Sequence, residues 1–217
     1  MTNIQQEVIN FINQDVSIRR GLHRDIINVR SLARFIQLNL HISASTDAVI
    51  SAIRRYQKEP GFKEDIKEKY HVIASAKVFS RTNMASLLFD RSQAARHALS
   101  NIYKHIDPAK GEVMRVIETS QHIKAILDES LVGSIRIPGV IRTEKNLGEI
   151  SIIYGKNIEN IPGIFSALAG ELALCGISII DGMICGSEHV FIVDEDDLLK
   201  ALGAMHRIAK WGRQGKN

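Results

Sequence analysis

Apolar residues early in the chain return every three or four positions, the period of a helix with one buried face. Ile4, Val8, Ile9, Phe11 and Ile12 make such a stripe, which stops near Asn13 and Gln14. Asp15 can cap a short second helix that carries Ile18 and Leu22, and Asn28 can cap a third whose Val29, Leu32, Ala33, Ile36 and Leu40 share a face. After the small residues 43–45, Ser45 or Thr46 can cap a fourth helix with Val49, Ile50, Ile53 and Tyr56 inward, ended by Pro60 and Gly61.

The texture then changes. Residues 62–69 are a charged linker rich in Lys and Glu, good helix formers. Residues 71–80 alternate and are rich in β-formers, 82–83 read as a turn, and 84–89 are a second apolar run. Residues 92–106 have helical spacing, with Ala95, Leu99, Ile102 and Tyr103 on one face, and 111–117 and 122–127 read as a hairpin turned at 119–121. A connector follows at 128–147, with a turn at Pro138 and Gly139 and a short strand at 140–142.

From Gly148 the order strand, helix, strand, strand repeats. Residues 149–155 are an apolar run, 156–163 a polar loop, and 164–175 a helical pattern stopped by Gly176. Two apolar runs at 177–184 and 189–193 flank the turn residues Cys185, Gly186 and Ser187. The acidic step 194–197 places negative charge where the dipole of a last helix, 198–209, favours it. The recurrence predicts two half-modules sharing one sheet. The second ends in a short polar tail without a further strand, so residues 71–80 or 134–137 are expected to fill its open edge.

These patterns predict an α+β protein. A helical, helix-turn-helix-like domain (1–61) and a linker (62–70) precede one or two ferredoxin-like βαββα(β) modules with antiparallel sheets. The first module is a degenerate copy at 71–137, followed by a connector at 138–147 and the main module at 148–217.

Composition narrows the function. Of 217 residues, 45% are hydrophobic and 24% charged, an ordinary globular balance. The sequence has no apolar run of the ~18 residues a membrane span needs. It shows no secretory leader at its start, and its two cysteines are too few for a disulfide scaffold, so a cytoplasmic protein is expected. Lys+Arg exceed Asp+Glu in residues 1–70 (11 against 8) and 71–145 (11 against 7), whereas acids lead in 146–217 (6 against 9). Polyanion binding therefore belongs to the first two thirds.

No Walker-type phosphate loop, HExxH, CxxC or GxSxG is present, and the histidines lie at no metal-ligand spacing, so no catalytic residue, metal or cofactor is assigned. The loop before Ile164 is the informative stretch. It joins a strand to a helix N-terminus, whose free N–H groups and dipole attract a carboxylate. Asn157 and Asn160 offer amides, Pro162 and Gly163 allow close backbone approach, and Ile158 and Ile161 complete the loop. In the basic part, the helix pair 28–40 and 46–58 has a helix-turn-helix layout that would present Ser45, Thr46, Ser51, Arg54, Arg55, Arg30 and Arg34 to double-stranded DNA. A helical bundle with solvated arginines is the alternative.

The C-terminal third resembles the ACT domain, a ligand-binding module of amino-acid metabolism, as found in the regulatory region of aspartate kinases. The resemblance is carried by Asn160-Ile161-Pro162-Gly163, Phe165-Ser166-Ala167-Leu168, Cys175-Gly176-Ile177-Ser178-Ile179, Gly186-Ser187-Glu188 and the run 190–202. With residues 15–34 and 47–56, the chain resembles archaeal ACT-containing proteins described as predicted regulators of amino-acid metabolism. The resemblance implies a homodimer or higher assembly. An amino-acid effector would be held between the 157–163 loop and the partner's Ile177, Ser178 and Ile179. It departs from the family in its missing fourth strand. Two functions follow: a transcriptional regulator, or a subunit without DNA binding that confers feedback on a biosynthetic enzyme.

Overall fold

A computed structural model describes residues 4–41, 43–58, 66–132, 137–155 and 158–214. Pro60, Gly61, Asn157 and most of the candidate edge segment 134–137 lie outside the described residues, as does the linker before Ile66. The chain divides into two compact units, Met1–Ile66 and Lys67–Asn217. Among the described residues no helix is long and apolar enough to cross a membrane.

The first unit is helical: α1 (Ile4–Gln14), α2 (Val16–His23), α3 (Val29–Leu40) and α4 (Thr46–Tyr56). Its three capped starts follow the sequence. Asp15 accepts from the Ser17 and Ile18 N–H groups, Asn28 from Ser31, and Ser45 from Ala48. The stripes meet in one core of Val8, Ile12, Leu22, Ile36, Val49 and Ile53. The Tyr56 hydroxyl at the edge of that core donates to Asn13 Oδ1.

The second unit holds α5 (Ile66–Ser75), β1 (Lys77–Phe89), α6 (Gln93–His105), β2 (Met114–Glu118), β3 (Ile123–Asp128), α7 (Glu129–Val132), β4 (Val140–Ile153), α8 (Ile164–Leu174), β5 (Asp181–Cys185), β6 (Glu188–Asp194) and α9 (Leu198–Gln214). The strands form one six-stranded sheet in the order β2-β3-β1-β4-β6-β5, with every pair antiparallel. Each half is strand, helix, strand, strand, helix. β1 and β4 lie side by side at the centre, so each stands where the other half would need a fourth strand. The open edge of the C-terminal half is filled by β1, which pairs Lys77 with Ile153 through Arg81 with Glu149.

Several expectations are corrected. Residues 71–75 belong to α5, not to a strand. Lys69, Val72 and Ile73 are all buried. Neighbours such as Val72 and Ile73 would face opposite sides of a strand, whereas positions i, i+3 and i+4 share a helix face. Thr82 and Asn83 do not turn the chain: they sit in a bulge inside one continuous β1, where Asn83 has φ +54°. Residues 140–147 form the first part of β4, longer than the short strand expected at 140–142, with a matching kink at Asn146 (φ +55°). Tyr103 points outward, 69% exposed. The strand expected from Ile177 starts only at Asp181.

The sheet is rolled up. Lys124 on β3 pairs with Asp181 on β5 at 2.8 Å, although four strand steps separate them, ~19 Å in a flat sheet. Arg115 on β2 reaches Glu149 on β4, three steps away. The convex face carries the helices over two apolar clusters, one centred on Ile150, Phe191, Leu172 and Met205, the other on Phe89, Leu99 and Ile102. The concave face closes on itself around Met84, Ile126, Leu147, Val190 and Ile192.

Candidate functional site

The loop before α8 rests on an aromatic floor. Where β4 ends, the Tyr154 N–H donates to the Ser187 carbonyl at 2.9 Å, and the buried Tyr154 hydroxyl bonds His189 Nδ1 at 3.0 Å. His189 faces the helices because it alternates with Val190, which points into the concave core. Phe165 in the first turn of α8 stacks on Phe191 (4.9 Å) and meets His189 edge-on (5.7 Å). Burial raises the Tyr154 phenol above its ordinary pKa and lowers the His189 imidazole, because each charged form loses water.

Over this floor, Ile158 is buried in the core and Ile161 packs half-buried against it. They anchor the loop to the core. Asn160, Pro162 and Gly163 are exposed. Gly163 stands at the helix start with φ +79°, a left-handed conformation that favours glycine, and no side chain caps α8. By contrast α2, α3, α4 and α6 are each capped by a side chain. Gly163 itself has no side chain to offer the first N–H groups of α8. Lys69 of α5, 4% exposed, puts its ammonium 3.5 Å from where a Gly163 Cβ would lie. An ammonium and a helix N-terminus together attract an anionic group and repel a cationic one.

The residues expected to form the second wall from a partner copy follow the other end of α8. Ile177 ends α8 in a Schellman motif: its N–H donates to Leu172 O (3.1 Å) and that of Gly176, at φ +69°, to Ala173 O (2.9 Å). This motif, with Ile177 buried beside Leu172, keeps the stretch out of the sheet. Ser178 is exposed and Ile179 half-buried. The loop and these residues occupy opposite ends of an 11-residue helix, ~16 Å apart at 1.5 Å per residue. One chain does not bring them together.

In the helical unit, Arg30 and Arg34 are exposed one turn apart on α3, and Ser51 and Arg54 are exposed on α4. The other three residues serve the fold. Ser45 caps α4, the Thr46 hydroxyl donates to Gln37 Oε1 (3.0 Å), and Arg55 Nη1 donates to Gln5 Oε1 (3.2 Å).

The sequence reading missed a charged network on the concave face. Glu149 is fully buried and accepts two hydrogen bonds from Arg115, at 2.7 and 2.8 Å, and one from the Ser151 hydroxyl at 3.0 Å. Arg115 also reaches Glu188 at 3.4 Å, and Arg81 approaches Glu149 at 3.5 Å. The Glu149 carboxylate holds the Arg115 guanidinium above its ordinary pKa. A charged residue alternating with apolar ones in a strand was the available signal. Its partner, three strands away, was not readable. Among the described residues no group of three or more His, Cys, Asp or Glu could hold a metal ion.

No protein family and no curated protein matches this chain. Among solved structures it aligns with aspartate kinase from Clostridium acetobutylicum at 10% identity and a TM-score of 0.47, over 60% of this chain and 34% of that one. It aligns with the ligand-free regulatory subunit of aspartate kinase from Thermus thermophilus at 10% identity and a TM-score of 0.45, over 62% and 98%. A Vibrio cholerae protein of unknown function aligns at 16% identity and a TM-score of 0.47, over 66% and 98%. The chain spans about a third of the Clostridium enzyme's length. With TM-scores below 0.5, these alignments carry no argument about function.

Proposed function

We propose that the chain is an amino-acid-responsive regulator, a homodimer whose sensing site lies at the start of α8. The observation that carries this reading is the α8 N-terminus, which has no side-chain cap and stands beside the buried Lys69 ammonium. An effector carboxylate suits that end. Its ammonium would be met by Asn157, Asn160 and loop carbonyls, and its side chain by Ile177, Ser178 and Ile179 of a second copy. Because one copy keeps these two walls apart, the site needs the dimer. A thermal-shift screen of the twenty amino acids tests the reading. At ~100-fold over its Kd a true effector stabilises by about 2.7 kcal/mol. No shift with any of them, or a monomer by sedimentation, removes it.

The output of such a regulator is duplex DNA binding through Arg30, Arg34, Arg54 and Ser51. Affinity for duplex should then fall steeply with salt, and the double change Arg34→Ala with Arg54→Ala should weaken it. A second reading, a feedback subunit docked on a biosynthetic enzyme, is favoured by a different observation: Ser45, Thr46 and Arg55 are engaged within the fold. No duplex retention even at low salt decides for the subunit.

A further inference from the structure

α5, the start of β1 and α9 enclose a cleft of about 440 Å³, within the range of roughly 300–1,000 Å³ typical of small-ligand sites. Its floor is apolar: Met205, 2% exposed, and Leu202 from α9, Ala74 from α5 and Val78 from β1. The wall between the two helices is fixed, because Gly212 lies so near the Tyr70 carbonyl that any Cβ would overlap it. His206 and Arg213 line the cleft from α9, two turns apart and so on one face of that helix. Arg213 Nε donates only a long 3.4 Å bond to the Ala209 carbonyl of its own helix, and among the described residues it makes no ion pair. Among the described residues no acidic side chain lines the cleft.

We propose that this cleft is a second ligand site, separate from the α8 loop, and that it takes an amphipathic monocarboxylate. The hydrocarbon body covers Met205, Leu202 and Val78, and the carboxylate pairs with the Arg213 guanidinium beside His206. The chemistry is that of an apolar floor ending in an uncommitted planar cation, which recognises a carboxylate through two parallel N–H bonds. An apolar surface otherwise left open, with Val78 40% exposed, is covered in the same step.

The test uses the full chain with ¹³C-methyl methionine, the Met205 signal being assigned with Met205→Leu. Hexanoate is titrated against hexylamine and hexanol as charge controls. Hexanoate should shift the Met205 methyl saturably, and Arg213→Gln, a change at the exposed end of α9, should weaken it about tenfold. Ala209→Leu, which narrows the cleft, should abolish the shift. No saturable shift, or equal shifts by hexylamine, would overturn the proposal. So would a hexanoate response unchanged in Arg213→Gln, or a Met205 shift that depends on protein concentration alone and marks an interface between copies.

Discussion

The two halves of the rolled sheet share one device and differ in one connection. In the first half the bulge of β1 is held where the Asn83 N–H donates to Glu195 Oε2 at 2.7 Å. In the second, the kink of β4 is held where the Asn146 N–H donates to Glu129 Oε2 at 3.2 Å. Each Glu directly follows the last strand of the opposite half, β6 or β3, so the halves clasp each other reciprocally. The turn from β1 to α6 is short and closed: Ser92 donates to Asp90 twice, at 3.1 and 2.6 Å, and its Oγ accepts from Ala95 at 3.1 Å. The turn from β4 to α8 is longer and ends at Gly163 without a capping side chain. The scaffold is duplicated, and the two connections differ in that Ser92 caps α6 whereas Gly163 has no side chain to cap α8. Function on a repeated fold lives in the connection rather than in the strands.

The largest expected effect probes what the second half has and the first lacks. Glu149 is fully buried in β4, and the concave side of β1 carries the uncharged, buried Ser86. Arg115→Met should cost about 3 kcal/mol in urea unfolding, because the buried carboxylate loses both guanidinium hydrogen bonds and keeps only the Ser151 hydroxyl and the longer Arg81 contact. The further change Glu149→Leu should recover most of that loss. Full stability in the single variant would mean that Glu149 is not held as described.

Next come the matched kinks. Asn83→Val and Asn146→Val should each cost about 1–2 kcal/mol, since a β-branched residue resists positive φ. Asn→Gly at either place should be tolerated. Unequal costs would break the equivalence of the two halves. Smaller again, Ser92→Ala should cost about 1 kcal/mol by removing the cap of α6. Gly163→Ser is the counterpart at α8. At φ +79° the added side chain is strained, so this variant should lose stability and suppress any amino-acid thermal shift, whereas Ser92→Ala variants stay responsive.

The smallest effect is a pH slope. Burial holds the folded-state His189 imidazole below its ordinary value of 6.5, so the unfolded chain binds that proton first. Stability from this group is therefore complete above about 6.5 and is lost as the pH falls toward the folded-state value. The urea midpoint should drop on acidification through that window, and His189→Phe should flatten the slope. A steeper slope in the variant would reverse the assignment.

Much of this was legible locally. Helix starts at Asp15, Asn28, Ser45 and Ser92 follow from short polar side chains ahead of apolar stripes, and the hairpins follow from their turn residues. Errors fell where a long-range partner decided. Residues 71–75 read equally as strand or helix until the core selected the face carrying Lys69, Val72 and Ile73. Asn83 reads as a turn unless Glu195, far along the chain, is there to hold its N–H inside a strand. Ile177, β-branched and apolar, is drawn into the core by the end of α8.

The order of covalent neighbours thus determined the periodicities, the caps, the charge asymmetry and the duplicated strand–helix–strand–strand plan, because each depends on residues within a turn or two of one another. Tertiary structure alone decided that β1 and β4 lie together, that Arg115 finds Glu149, and that the α8 loop and Ile177 stand at opposite ends of one helix. Those depend on how tightly one sheet rolls, a property of all its strands at once.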